Sequence, residues 1–167
     1  GDERVALEIL SFGRALSQLM RMLRDPALAD TLVLLIADHG QTLTPPDPHY
    51  DLSNHPHLLD CLVMRPSGEN RFPYLYLRPG MEEAARAYIQ DTWPGEFRIF
   101  PSHSLLEAGL LGPGKPSPLA LERTGDWIIV PQGSAYWWWG VKENHLVGRH
   151  GGLSAAEMLV PLFGFRP

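Results

Sequence analysis

The sequence predicts a single domain of the α/β class, and three observations support this prediction. Residues 4–24 carry apolar side chains at alternating spacings of three and four, which is typical of one face of an amphipathic helix. Residues 32–37 form a continuous apolar run, the pattern of a strand that is buried on both faces. Further along, segments with strand character alternate with segments with helix character, as they do in α/β folds.

The individual elements follow in order along the chain. The first helix is expected to end at Asp25-Pro26, because proline disfavours helical backbone in the residue before it. Since the strand at 31–37 shows no alternation, we expect it to be central, with parallel neighbours. The other predicted elements are a proline-rich loop at 41–57, a weak strand or short helix at 58–64, a turn at 66–68, a strand at 74–77, a helix near 81–91, a strand at 97–100, a short helix opened by a capping box at 104–107, a loop at 112–118, a strand at 126–131, a second capping box at 154–157 and a last strand at 159–165.

Composition excludes several classes of protein. The chain has 167 residues, 44% of them hydrophobic and 20% charged, which is ordinary for one globular domain. A net charge of −5 argues against a nucleic-acid-binding surface, and a single cysteine excludes an internal disulfide. The sequence contains no signal peptide and no apolar run approaching the roughly 20 residues that span a bilayer, so we expect no membrane partner and a cytoplasmic location.

The strongest candidate for a functional motif is Asp38-His39-Gly40, directly after the apolar run. Ligand sites of open α/β sheets form at the carboxyl ends of strands. A carboxylate and an imidazole are suitable ligands for zinc or a similar divalent ion. The alternative for this tripeptide is an ordinary loop with an Asx turn.

A second motif, Gly148-Arg149-His150-Gly151-Gly152-Leu153-Ser154, supplies another imidazole beside glycines that allow close approach of the backbone. By itself His150 would be interpreted as a surface histidine in a flexible loop. Beside the first motif it becomes a third candidate metal ligand. No serine or threonine lies in a motif that nominates it as a nucleophile, and Thr42 and Thr44 are poor candidates although they lie near the ligands.

Two other segments have structural interpretations that we favour over functional ones. The histidine-rich segment 49–57 is expected to be a surface loop near the site, with substrate contact or metal binding as the alternative. The cluster Trp137-Trp138-Trp139 is expected to pack in a core or an interface, with stacking on a base or a sugar as the alternative.

Together the two motifs resemble the alkaline phosphatase superfamily, and within it the type I phosphodiesterase/nucleotide pyrophosphatase branch. The resemblance rests on Ile36–Gly40 and on Gly148–Ser154 followed by Glu157–Leu162, and it extends to Arg71–Gly80 and Gly109–Gly112. It implies a mixed, mostly parallel sheet in a three-layer α/β/α sandwich. It also implies two divalent metal ions, with zinc the expected metal, and a phosphoester or nucleotide substrate.

In that family one ion is held by an early Asp, a Ser/Thr nucleophile and the Asp-His pair that Asp38 and His39 resemble. The other ion is held by an Asp-x-x-x-His segment and by a late histidine, which His150 resembles. The early Asp, the nucleophile and the Asp-x-x-x-His segment have no counterpart here and would lie upstream of Gly1. Residues 1–167 are therefore expected to be the C-terminal part of one catalytic domain that has little activity alone.

Two alternatives stay open, along with one structural expectation. The chain could belong to a phosphomonoesterase, phosphomutase or sulfatase branch, or it could be a non-catalytic α/β binding module. If neighbouring strands are missing, the strand at 31–37 should present an unpaired edge, which invites self-association.

Overall fold

The computed structural model describes residues 2–166, so Gly1 and Pro167, the ends of the predicted domain 1–167, lie outside the described residues. The chain forms two compact units, one from the residues up to Asp38 together with those from Val160 onward, and one from His39–Leu159. The helices are α1 (Glu3–Met22), α2 (Pro56–Asp60), α3 (Glu82–Thr92), α4 (Ser102–Glu107), α5 (Ala120–Thr124) and α6 (Ala155–Met158). The strands are β1 (Val33–Ile36), β2 (Thr42–Leu43), β3 (Ser67–Glu69), β4 (Phe72–Leu75), β5 (Phe97–Pro101), β6 (Trp127–Pro131), β7 (Gly148–Arg149) and β8 (Leu162–Phe165).

The first unit consists of α1 and a two-stranded sheet. The predicted long helix is confirmed, and Asp2 caps it by accepting a hydrogen bond from the Arg4 backbone N–H at 3.0 Å. Its apolar face is not buried: Val5, Ile9 and Phe12 are each more than half exposed.

Strand β1 differs from the prediction of a central, parallel strand. It pairs with β8 in the antiparallel direction, with Val33 opposite Phe165 and Ile36 opposite Leu162. Exposure alternates along it, so that Leu34 and Ile36 are exposed while Val33 and Leu35 are half-buried. Because this sheet has two strands, the other edge of β1 has no strand beside it within residues 2–166. The continuous apolar run therefore does not correspond here to a strand that is buried on both faces.

The second unit is built on a four-stranded sheet in the order β3-β4-β6-β5. All of its strand pairs are antiparallel, and the parallel contact between Asp51 and Trp138 is an isolated bridge. The α/β class is confirmed, but the pairing within these residues is not the mostly parallel arrangement that was expected. Strand β6 is buried along its whole length, as expected for the apolar segment Trp127–Val130 between two neighbouring strands.

The core of the second unit lies between this sheet and α3, with aromatic rings at its centre. Trp93 and Trp137 are essentially fully buried, and the rings of Phe97 and Trp137 stack with their centroids 4.6 Å apart. Burying side chains of this size stabilises a fold by about 2–3 kcal/mol each. The predicted packing role of the tryptophan cluster is confirmed for Trp137.

Several short elements differ from the sequence prediction. Helix α4 begins at Ser102, two residues before the predicted capping box, and no side chain caps it. The predicted loop 41–57 contains β2 and two 3₁₀ turns, and the predicted turn at 66–68 runs into β3. Among the helices of residues 2–166, none combines the length and the apolar character needed to cross a membrane.

Candidate functional site

The two histidines predicted as metal ligands in the second unit lie face to face. The rings of His39 and His150 stack with centroids 3.6 Å apart and an angle of 15° between their planes. Strands β2 and β7 bring them together, because Thr42 pairs with Arg149 and Leu43 pairs with Gly148 in an antiparallel ladder. Neither strand was predicted, since each is two residues long and has no apolar alternation.

The His39 ring is oriented by a contact with the backbone of the next residue, Gly40. Nδ1 of His39 lies 2.9 Å from the carbonyl oxygen of Gly40. A carbonyl can only accept, so in the neutral ring the proton is on Nδ1 and the lone pair is on Nε2. This is the tautomer in which a histidine can ligate a metal ion through Nε2.

Gly40 brings the first histidine loop against the last helix of the unit. Its N–H donates a 2.8 Å hydrogen bond to the backbone oxygen of Glu157. A Cβ atom at position 40 would lie 1.9 Å from the oxygen of Ala156, closer than two such atoms can approach. The glycine of the Asp-His-Gly motif is therefore required by backbone contact.

The second histidine loop is held through its two glycines. Gly151 has a φ of +97°, a conformation that side-chain-bearing residues rarely adopt, and a Cβ there would lie 2.7 Å from Cβ of Glu69. The N–H of Gly152 donates a 3.0 Å hydrogen bond to the Glu157 carboxylate. The loop that carries His150 is thus fixed immediately after the histidine.

Glu157 belongs to a buried ion pair that the sequence prediction did not identify. Its carboxylate accepts hydrogen bonds from Arg71 Nε at 3.0 Å and Nη2 at 2.7 Å, and both residues are at most 2% exposed. Ser154 Oγ donates to the same carboxylate at 2.6 Å. Burial alone would raise the pKa of Glu157, but the hydrogen bonds from Arg71, Ser154 and Gly152 outweigh it and lower the pKa to about 2. The predicted capping box at Ser154–Glu157 does not cap α6; its two side chains instead bond to each other.

Arg149, the residue before His150, anchors strand β7. Its guanidinium donates to the backbone oxygen of Thr44 at 2.8 Å and to the Thr44 hydroxyl at 2.7 Å. It also lies 3.7 Å from the centre of the Tyr136 ring, a cation–π contact, and burial lowers its pKa from the ordinary value. His150 follows directly after this anchored residue.

Asp38, the third predicted ligand, belongs to the first unit, where it follows β1 and is exposed. Within residues 2–166, no group of three or more His, Cys, Asp or Glu side chains converges in a way that could hold a metal ion. Of the three predicted ligands, the structure of the second unit brings His39 and His150 together.

The histidine-rich segment 49–57 is largely exposed, as expected for a surface loop, and this includes His49 and His57, but His55 is buried. His55 is 7% exposed, and its ring nitrogens lie 2.9 Å from the Tyr88 hydroxyl and 2.9 Å from the backbone oxygen of His49. Burial lowers the pKa of His55 below its usual 6.5, which favours the neutral form of the ring.

No protein-family model and no curated protein sequence matches this chain. Solved structures with a similar fold do exist, and the likeness shows that this chain has the α/β fold of part of their domain.

Three of these structures are of ectonucleotide pyrophosphatase/phosphodiesterase 5, from mouse and human. The human protein matches with a TM-score of 0.68 and 14% identity, covering 98% of this chain and 41% of the human one. The murine protein matches with a TM-score of 0.62 and 14% identity, covering 94% of this chain and 40% of the murine one. An inactive variant of the murine protein, solved in complex with AMP, also has a TM-score of 0.62. The chain thus spans about two fifths of the length of the structures it resembles, and at this identity the likeness shows the fold alone.

Proposed function

We propose that this chain is the C-terminal part of a metal-dependent hydrolase of phosphodiester or nucleotide pyrophosphate bonds, with Asp38, His39 and His150 as metal ligands. The single observation that carries the proposal is the stacked pair of His39 and His150 at 3.6 Å. Two histidines from distant parts of the sequence meet there, beside the β2–β7 strand pair.

The details of the pair favour metal binding over packing. Imidazole rings that serve as core packing are surrounded by apolar side chains, whereas these lie between glycine-rich loops and are half-buried. When bound, two ions held near these rings would supply Lewis acidity to a phosphoryl oxygen.

The exposed apolar surface of the first unit supports the proposal that the domain is partial. In α1 none of the described residues is buried, and Leu34 and Ile36 of β1 are 62% and 60% exposed. A soluble domain rarely leaves so much contiguous apolar surface uncovered. Together with the coverage of about two fifths of the similar structures, this favours an arrangement in which further polypeptide of the same domain covers α1 and β1.

The substrate class and the location of the protein are part of the proposal. The murine neighbour that was solved with AMP favours a nucleotide-containing substrate over other phosphoesters. The phosphomonoesterase, phosphomutase and sulfatase branches share the same ligand types and would be distinguished by the nucleophile region. The cytoplasmic location stays a prediction.

A zinc titration followed by NMR of the histidine rings tests the ligand assignment in the intact 167-residue chain. We expect the ring signals of His39 and His150 to respond together, at lower zinc concentration than the exposed His103. In the His150→Ala variant the response of His39 should require at least about tenfold more zinc. The His103→Ala variant is the matched control and should behave like the unmodified chain.

A different order of response would contradict the assignment. If His49, His57 or His103 responds first, or if His150→Ala leaves the His39 response unchanged, the pair is not a metal site and a non-catalytic binding module becomes the better explanation. In the same preparation we expect no zinc-dependent hydrolysis of bis(p-nitrophenyl) phosphate. Measurable turnover that is lost in His150→Ala would show that this chain is a complete enzyme.

A further inference from the structure

We infer that Glu157 is the positioning residue of the histidine pair, held in place by Arg71 and attached to both histidine loops at once. The inference rests on the proposed function for the role of the pair in metal binding. It does not rest on that function for the geometry of the pair.

Glu157 contacts the two loops through different atoms. Its backbone oxygen accepts the 2.8 Å hydrogen bond from Gly40, the residue after His39. Its carboxylate accepts the 3.0 Å hydrogen bond from Gly152, two residues after His150. One residue therefore accepts a hydrogen bond from each of the two loops.

Arg71 connects this arrangement to the rigid part of the unit. It directly precedes β4, and its guanidinium donates to the backbone oxygen of Ala135 as well as to both carboxylate oxygens of Glu157. A planar guanidinium that binds a carboxylate through two parallel bonds fixes orientation as well as distance. The position of Glu157 is thus defined by the four-stranded sheet, although α6 itself has only four residues.

The close fit of the glycines shows how little freedom the arrangement has. A Cβ atom at position 152 would lie 2.8 Å from both carboxylate oxygens of Glu157, as a Cβ at position 40 would lie 1.9 Å from the oxygen of Ala156. The first loop is therefore in close contact with the backbone of Ala156, and the second loop with the side chain of Glu157. A buried ion pair is weak evidence for a stabilising role, since apolar residues of similar volume often replace such pairs without loss of stability. Its hydrogen bonds to loop backbone point instead to positioning.

The double variant Arg71→Met/Glu157→Met separates positioning from stability. It removes both buried charges together, so that neither is left unpaired, and it keeps a similar side-chain volume. We expect the variant to fold, with the β4–β6 and β5–β6 cross-strand NOEs preserved. The NOE between the His39 and His150 rings should fall to less than half its original intensity. Zinc affinity at these rings should fall at least about tenfold, as it does when residues that orient metal ligands are removed.

Two further variants complete the test. Glu157→Gln keeps the shape of the side chain but loses its charge, and it should weaken the same ring NOE. It provides the test if the double variant does not fold. Ser102→Ala removes a buried 3.0 Å hydrogen bond to the Thr124 oxygen, away from the histidine loops, and should leave the NOE and the zinc affinity unchanged.

The outcomes distinguish this inference from the proposed function. Glu157 does not position the pair if the double variant has the same ring NOE and the same zinc affinity as the unmodified chain. The same conclusion follows from Glu157→Gln if the double variant is unfolded. If the NOE is lost while zinc binding never involved these rings, the positioning role stands and the proposed function fails.

Discussion

Replacing Gly40 with alanine is expected to destabilise the second unit and to separate the two histidine rings. The change adds one methyl group at the point where the Asp-His-Gly loop touches the last helix. Since Gly40 does not have a positive φ, alanine can adopt its backbone conformation, and the whole effect comes from contact.

The magnitude follows from two distances. The new Cβ would lie 1.9 Å from the Ala156 oxygen, whereas real Cβ contacts below 3.0 Å are essentially never seen, so the backbones must move apart by about 1 Å. That movement takes the 2.8 Å hydrogen bond from Gly40 to Glu157 beyond the normal range. Steric overpacking costs about 1–3 kcal/mol and an unpaired donor about 1–3 kcal/mol. The restricted unfolded chain returns about 0.4–1 kcal/mol, so we expect a net loss of roughly 1–5 kcal/mol.

Urea unfolding followed by tryptophan fluorescence measures this loss in the correct unit. All five tryptophans, Trp93, Trp127 and Trp137–Trp139, lie within His39–Leu159. The midpoint in urea should fall while the slope stays constant, because the surface exposed on unfolding is unchanged.

Gly148→Ala is the matched control, because it adds the same methyl group to β7 in the same site. Its Cβ would have its nearest neighbour at 3.5 Å, which is ordinary contact, so stability should change by no more than about 0.5 kcal/mol. Equal stability of the two variants would refute the argument that the Gly40–Glu157 contact is tight.

Three further outcomes are expected. Because the pKa of Glu157 is about 2 in the folded chain against 4.5 when unfolded, its contribution to the free energy of unfolding is complete above pH 4.5 and is lost as the pH falls toward 2. At about 1.4 kcal/mol per pH unit this contribution amounts to roughly 3 kcal/mol. Acid unfolding of the Glu157→Gln variant should lack this loss of stability. The pKa of His55 is lowered, so the unfolded state takes up the proton first and stability should begin to fall as pH drops below 6.5; an identical pH profile for His55→Gln would contradict this. Leu34→Lys places a charge on β1, whose second edge has no strand beside it within residues 2–166. It should reduce any concentration-dependent association seen by sedimentation velocity. An unmodified chain that is monomeric at every concentration would rule out pairing through β1.

The sequence predicted the longer elements because each has a local signal. Helix α1 has a complete apolar stripe and an Asp cap, and α3 has two acidic residues in its first turn. Strand direction has no such signal. The apolar run at 31–37 indicated a strand correctly, but its antiparallel partner Leu162–Phe165 is set by tertiary packing, so the expected parallel, two-sided burial was not found.

The candidate site divides in a similar way. His39 could be selected because its Asp-His-Gly motif follows an apolar strand, and His150 because its glycine-rich segment, together with that motif, resembles one family; the structure brings the two histidines together. Arg71 and Glu157 could not be selected, because a buried ion pair is recognised only when its partners are seen in contact. The Ser154–Glu157 pattern is visible in the sequence, but it also matches a helix cap. Only the contacts of Glu157 with Arg71 and Gly152 distinguish its role in the ion pair from a role in capping.

The exposed stripe of α1 has a consequence for the chain inside a cell. Chaperones bind solvent-exposed apolar side chains, and Val5, Ile9 and Phe12 present three of them on one helix face, each 55–64% exposed. A chain with this surface uncovered should be retained by chaperones and passed to proteases, so its abundance would be low whatever the stability of the second unit. Its yield on expression therefore depends on what covers α1, and polar substitutions along that one stripe should raise the yield without altering the histidine pair.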